Sequence, residues 1–388
     1  MEKSDMAKAA KRKTGKAKAG PKIIKGLVGV YADTTAVSKV MPETNSLTYR
    51  GYAVQDLAAK CEFEEVAYLL LYGELPSKSQ YASFKKKERS RRALTRSHQN
   101  VIAEFPKSAH PMDTLRTAVS YLGTTDMAWG GEPARKDLDR AIDLLAKIPT
   151  MIAIDYRLRS GKRPIRPRTN LSMSENFFHM CFGKVPPTEV IRAFNVSLIL
   201  YAEHSFNAST FTARVITSTR SDIYSAVTGG IGALKGPLHG GANEAVMEML
   251  QEIGDPNKAE AWLRRAMKTK RVVMGFGHRV YKQGDSRVPT MHACLEDLTA
   301  WSGDTKWIEI SNVLKKIMID EKGIHPNLDY PAGPAYYLMG FPINLYTPIF
   351  VMARITGWSA HFLEQNADNS LIRPLSDYHG PKQRRLKK

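Results

Sequence analysis

Apolar residues recur every three to four positions along most of the chain beyond residue 26, the spacing of helices with one buried face. FEEVAYLLLYGELP (63–76) carries such a stripe and should stop at Gly73 and Pro76. HPMDTLRTAVSYLG (110–123) has Pro111 at its start and Gly123 at its end, which predicts a helix between them. Apolar positions 138, 141, 142, 145, 148, 152 and 154 predict another over 136–159, kinked or divided by Pro149. Helical spacing returns at 188–203, 207–218, 242–252, 258–270, 290–301, 306–319 and 345–365. Strand-like alternation is confined to GLVGVYADTTAVSKV (26–40) and TNSLTYRGY (44–52). With no internal repeat, the pattern reads as an all-α chain.

At 388 residues, 43% of them apolar, the chain can bury a large core and suggests two domains or one large one. No apolar run approaches the ~20 residues that span a bilayer, so a soluble protein is expected. Loops are expected at 124–135 (TTDMAWGGEPAR) and at the Arg/Pro-rich 160–170 (SGKRPIRPRTN), the latter as a solvated connection. KGPLHGG near 235–241 and GFPINL near 340–345 read as domain boundaries. The division is then a larger domain over 26–240 and 346–381, with a smaller domain, 241–345, inserted into it.

The net charge of +19 resembles a nucleic-acid signal until it is located. Residues 1–25 carry +7 and residues 382–388 carry +5, leaving about +7 for the body. The first tail is Lys/Ala/Gly-rich with few large apolar residues, so it is expected to be disordered and solvated, with loose polyanion attraction as the sharper option. It has neither the apolar core of a secretory signal nor the amphipathic, Arg-rich character of a mitochondrial presequence. The three cysteines (Cys61, Cys181, Cys294) are odd in number and lack metal-ligand spacing, as expected for small buried hydrophobes in a reducing compartment.

The chemistry gathers where glycine and proline do. His239 sits in PLHGGANEAVMEML (237–250) and His278 in VMGFGHRVYKQGDSRVPT (273–290), each between glycines and helix-forming sequence. Asp329 follows in HPNLDYPAG (325–333). Two histidines and an acid on close-packed backbone suit proton transfer around a carbonyl, although Asp329 alone also fits a helix cap or turn acid. A helix starting near Ala242 would aim backbone N–H groups toward whatever His239 touches. Arg354 lies in an apolar helix, FVMARITGW (350–358), where a guanidinium needs an anionic partner: a structural Glu or a substrate carboxylate. Arg287, Arg373 and His204, the last in LYAEHSFNASTFTAR (200–214) interrupting an apolar helix, complete a set suited to a substrate with several carboxylates. No H-x-x-x-H, C-x-x-C or H-E-x-x-H spacing supports a metal, and GGIGALKG (229–236) fits neither the P-loop nor the dinucleotide pattern.

From about residue 26 to 381 the chain resembles the citrate synthase family, through PLHGGANE, GFGHRVY with Arg287 nine residues after His278, NLD, and ARITGW followed by IRP. DTTAVSKVMPETNSLTYRGY (33–52), HPMDTLRT (110–117) and LYAEHSFNAST are most similar to the bacterial 2-methylcitrate synthases within it. The resemblance implies that Asp329 takes a proton α to the thioester of an acyl-CoA, propionyl-CoA before acetyl-CoA. His239 would stabilise the enol or enolate and His278 would bind and protonate the oxaloacetate carbonyl. It implies His204, Arg287, Arg354 and Arg373 as oxaloacetate ligands, with Arg373 donated across a homodimer, and Lys282 as a contact to CoA phosphates. It further implies an all-helical fold in which a small domain closes on a large one, a cytoplasmic location, and no metal or redox cofactor. A citrate synthase of the tricarboxylic acid cycle is the alternative; a citryl-CoA lyase and a polyanion-binding protein are more distant ones.

Overall fold

The computed structural model of the chain describes residues 23–41, 43–126, 136–278, 280–281 and 283–386. Residues 35–372 form one compact unit; those before Thr35 and from Arg373 onward form a second. In the second unit the described residues are all exposed and hold one 3-10 turn, Lys25–Leu27. The strand expected over 26–40 is therefore reduced to its last residues.

The larger unit is helical, as the periodicity predicts. Its first helices are α1 (Val54–Lys60), α2 (Phe63–Tyr72), α3 (Lys78–Ser90), α4 (Arg96–Glu104), α5 (Pro111–Asp126), α6 (Asp137–Arg159), α7 (Met173–Phe182) and α8 (Thr188–Tyr201). They continue with α9 (Ala208–Ser218), α10 (Ile223–Leu234), α11 (Ala242–Ile253), α12 (Pro256–Lys268), α13 (Val288–Ser302), α14 (Lys306–Lys322), α15 (Asp329–Leu338) and α16 (Tyr346–Ala367). A small antiparallel sheet precedes them, with strands β1 (Ser38–Met41), β2 (Ser46–Tyr49) and β3 (Tyr52–Ala53) in that spatial order. Ser38 pairs with Tyr49, and Tyr49 with Tyr52. This register turns Tyr49 inward, where its hydroxyl reaches the carbonyls of Ile199, Leu200 and Glu203 and docks the sheet on the end of α8.

Helix α16 is the axis of the core. Every residue from Tyr346 to Phe362 is buried, and α2, α6, α8, α9 and α10 pack around it. Burying each large apolar side chain stabilises the fold by about 1.5–3 kcal/mol, so one continuous buried helix fixes the frame on which Arg354 sits. Helices α11 and α13 pack on α15, and α12 on α14, while α13 also lies against α8. No single described helix is long and apolar enough to cross a membrane; α15 and α16 meet that test only as a pair bent by 120°.

Two expected breaks are absent. Helix α6 runs unbroken through Pro149, because nearly every side chain from Ala141 to Asp155 is buried against its neighbours. That packing outweighs the roughly 3 kcal/mol that proline costs inside a helix. Helix α5 continues past Gly123 to Asp126. A Cβ on Gly123 would lie 2.8 Å from that of Tyr224, so the glycine serves the close approach of α10 instead of ending α5. Helix α2 behaves as predicted: a Glu62–Glu65 capping box starts it and Gly73, at φ 94°, ends it.

Candidate active site

Backbone pairing brings the two distant motifs together. Gly277 N donates to His325 O at 2.8 Å, and Asn327 N donates to Gly275 O at 2.9 Å. The Asn327 side chain closes the frame on Gly277 O at 3.0 Å. His278 thus leaves one strand-like segment while Asp329 opens α15 from the other. The turn before α11 is equally tight: Gly240 N bonds Leu234 O at 2.9 Å, and a Cβ there would come within 2.6 Å of that same oxygen. His239 rides on this turn, three residues before α11 begins at Ala242.

The C-terminal end of α8 is the hub. Its last carbonyls lack helical partners and carry the negative end of the helix dipole, which favours cations. Arg354 Nε donates to Tyr201 O at 2.8 Å, and Arg287 Nη1 reaches Leu200 O at 3.4 Å. The Tyr201 hydroxyl donates to Asp329 Oδ1 at 2.7 Å.

Both imidazoles have their protons assigned by backbone amides. Nδ1 of His278 accepts from Val280 N at 3.0 Å and Tyr281 N at 3.1 Å, so in the neutral ring the proton sits on Nε2. Nε2 of His239 accepts from Ser209 N at 3.3 Å and lies 2.9 Å from Ser209 Oγ, itself held by the Trp358 indole at 3.1 Å. The proton of neutral His239 is therefore on Nδ1. Burial, with Arg354 adding to it, pushes His239 down to about 4, so near neutral pH it is an uncharged donor.

Asp329 moves the other way. Burial raises its carboxyl to about 6, with Asp285 adding to the rise, while the Tyr201 hydroxyl, Arg287 and Arg354 oppose it. A carboxylate with that value is ionised at neutral pH yet far more basic than an exposed one. The cap-or-turn alternative for Asp329 is partly met, since it stands in the first turn of α15, but its side chain caps nothing.

Beside these lie buried arginine and histidine side chains, Arg354, Arg287 and His204. Arg354 is 1% exposed, its Nη1 has no partner among the described residues, and burial brings it down to about 10, which leaves it charged. The structural Glu offered as its partner exists nearby as Glu203, whose charge supports the charged form of Arg354, but its Oε1 engages Ser38 and His361 and no described hydrogen bond joins it to the guanidinium. No described carboxylate forms an ion pair with Arg354. His204 lies in the break between α8 and α9 and not within a helix, with Nε2 buried and unpartnered. Burial, then Arg287, His278 and Arg354, hold it well below the usual histidine range. Its ring centroid is 5.1 Å from that of His278, and Tyr281 stands 4.8 Å from His278. A buried guanidinium donor without an acceptor costs free energy unless an anion lies beside it.

Arg287 is more committed than its sequence context implies. Asp285 accepts from its Nε at 2.9 Å and its Nη2 at 2.7 Å, a bidentate pair. Burial alone would raise Asp285, but Arg287 beside it holds the carboxyl below its usual range. Arg373 lies in the second unit and is exposed. Lys282 lies outside the described residues. Cys61, Cys181 and Cys294 are free thiols, and among the described residues no three His, Cys, Asp or Glu side chains are grouped to hold a metal.

Sequence reasoning missed Tyr201, Asp285, Ser209, Trp358 and the Glu203–His361 pair. Asp285 had a usable signal, a charged pair two residues apart in GDSR, and Glu203 sits directly before His204. Tyr201, Ser209 and Trp358 had none, because each acts through a partner far away in the chain.

The chain is similar to known proteins over most of its length. Residues 26–375 match the family described as "Citrate synthase, C-terminal domain". The chain is 58% identical to the 2-methylcitrate synthase of Mycobacterium tuberculosis, over 94% of this chain and 93% of that one. It is 57% identical to the citrate synthase of Mycolicibacterium smegmatis, over 94% of this chain and 97% of that one. Among solved structures, the Thermoplasma acidophilum citrate synthase in ternary complex with carboxymethyl coenzyme A and oxaloacetate superposes with a TM-score of 0.89. That match has 34% identity and covers 95% of this chain and 98% of that one.

Proposed function

The chain belongs to the citrate synthase family, and from that premise we propose that it is a 2-methylcitrate synthase. It condenses propionyl-CoA with oxaloacetate and hydrolyses the thioester, releasing 2-methylcitrate and CoA. The observation that carries the reading is a buried guanidinium with an unpartnered donor, Arg354 Nη1, near the unpartnered ring nitrogen Nε2 of His204 and a carboxyl raised to about 6. This is an anion pocket adjoining a base.

The steps follow from the protonation states. Ionised Asp329 removes a proton from the carbon α to the thioester. Neutral His239 donates its Nδ1–H to the thioester oxygen as charge develops there; an uncharged donor suits an enol or enolate whose charge is only partial. His278 donates Nε2–H to the oxaloacetate carbonyl and transfers that proton as the new C–C bond forms. Arg354, His204 and the part of Arg287 left free by Asp285 bind the oxaloacetate carboxylates. Water then cleaves the thioester. Arg373 completes the anion site from the second subunit of a homodimer, and Lys282 meets the CoA phosphates. The segment 241–345, which carries His278 and Asp329 and follows His239 directly, closes on the rest and shields the enolate from water. The enzyme is placed in the cytoplasm, with no metal or redox cofactor required.

Citrate synthase is the second reading, favoured by the Mycolicibacterium relative at nearly equal identity. Propionyl and acetyl differ by one methylene, worth about 1–3 kcal/mol in an apolar pocket, so activity with both is expected. The deciding measurement is kcat/KM for propionyl-CoA and acetyl-CoA at saturating oxaloacetate, followed by thiol release. The expected ratio is above one. A ratio well below one makes citrate the product, and no thiol release from either ends both readings.

A further inference from the structure

We infer that Tyr201 is a positioning residue for proton abstraction: its hydroxyl engages Oδ1 of Asp329 and leaves Oδ2 as the oxygen that takes the substrate proton. The inference rests on Asp329 being the base. Tyr201 Oη lies 2.7 Å from Oδ1, and no described residue bonds Oδ2. The two oxygens of a carboxylate are equivalent until something distinguishes them, and here only one is occupied.

The tyrosine is held so that it cannot turn away. It is 1% exposed, its ring centroid is 4.3 Å from that of Phe350, and the Tyr336 ring stands 6.5 Å away. Its own carbonyl accepts the Arg354 Nε, so one residue ties the base to the anion pocket. Burial, with Asp329 adding to it, keeps the hydroxyl protonated well beyond any working pH, which makes it a permanent donor.

The other groups facing Asp329 are few. Arg354 on α16, Arg287 and Asp285 in the segment before α13, and Tyr336 on α15 itself interact with it electrostatically. Helix α11 meets α15 through Val246 and the Asn243 carbonyl at Gly333, and α14 through the Ser311 carbonyl, which accepts from Tyr330. Tyr201 is the one described side chain that hydrogen-bonds the carboxylate. A donor to a carboxylate favours its ionised form, so Tyr201 works against the burial that raises Asp329.

The test is the pH profile of kcat for Tyr201→Phe, which removes one oxygen and keeps the ring and the carbonyl on Arg354. The acid limb should move up by about one pH unit, giving about a tenfold loss at low pH and a smaller one on the alkaline plateau. Oxaloacetate affinity should stay within about twofold. Difluorotyrosine at position 201, a stronger donor, should move the limb down, an opposite sign that repacking cannot produce. A uniform fall at every pH with an unmoved limb in Tyr201→Phe overturns the inference. Asp329→Asn separates it from the underlying reading. Turnover surviving in Asp329→Asn removes Asp329 as the base. A dead Asp329→Asn beside an unmoved limb in Tyr201→Phe keeps the base and removes only the role of Tyr201.

Discussion

Burial lifts the Asp329 carboxyl from 3.8 to about 6, so between those pH values the folded chain holds a proton that the unfolded chain has released. Stability falls with rising pH wherever the folded state binds more protons. The loss begins near the unfolded value, is complete above the folded one, and amounts to about 3 kcal/mol at 1.36 kcal/mol per pH unit. Asparagine cannot titrate and still accepts from Tyr201 through its carbonyl oxygen. Asp329→Asn should therefore melt higher than the parent at pH 8, with the gap closing near pH 4, in thermal unfolding followed at both values. An equal gap at both would mean that the carboxylate carries no folding cost. His239, His278 and Asp329 were legible because glycine and proline announce the backbone around them. Tyr201 was not, because its hydrogen bond to Asp329 spans 128 positions and leaves no local trace. Arg354 was legible as a buried charge, but the acid near it, Glu203, whose Oε1 serves Ser38 and His361, was not.

At the scale of elements, the loop carrying His278 depends on Gly275. Its φ is 80°, and a Cβ there would lie 2.7 Å from Val246 Cγ2 and 2.9 Å from the Tyr330 ring. Gly303, which ends α13 at φ 72° with nothing within 4 Å, has the same backbone without the crowding. Alanine at 303 should cost about 1–2 kcal/mol, the ordinary cost of a left-handed residue. Alanine at 275 adds overlap with α11 and α15 and should cost about 2–5 kcal/mol in urea unfolding. It should also lower kcat, because the Gly275–Asn327 pairing sets where His278 stands relative to Asp329. Equal costs at 275 and 303 would show that the loop has room to shift. The same elements explain what periodicity reads well. Helix α2 has a cap, a stripe and a stop, all local. Helix α10 (IYSAVTGGIGAL) and helix α15 (DYPAGPAYYL) carry residues that locally oppose a helix. Trp358 against Gly230, and Val246 against Gly333, supply the tertiary packing that overrides them.

For the whole molecule, charge is the property that the fold leaves unused. The net charge is +19, and residues 1–25 with 382–388 carry most of it, +7 and +5. An acyl-CoA bears several phosphate charges, so a strongly basic protein attracts it from a distance, raising both encounter rate and affinity. That attraction decays over a Debye length of about 10 Å at 0.1 M salt, whereas the hydrogen bonds of the site do not. The expectation is that kcat/KM for the acyl-CoA falls as salt rises from about 10 mM to about 200 mM, with kcat nearly constant. Deleting residues 1–25 and 382–388 lowers the charge to about +7 and should flatten that fall while leaving kcat at high salt within about twofold. A truncated chain with the full salt dependence would assign the attraction to the body of the protein, where the loop 160–170 holds Lys162, Arg163, Arg166 and Arg168 on the surface. A truncated chain that loses kcat at high salt would mean that the tails reach the chemistry itself, which the neutral-pH protonation states of Asp329 and His239 do not require.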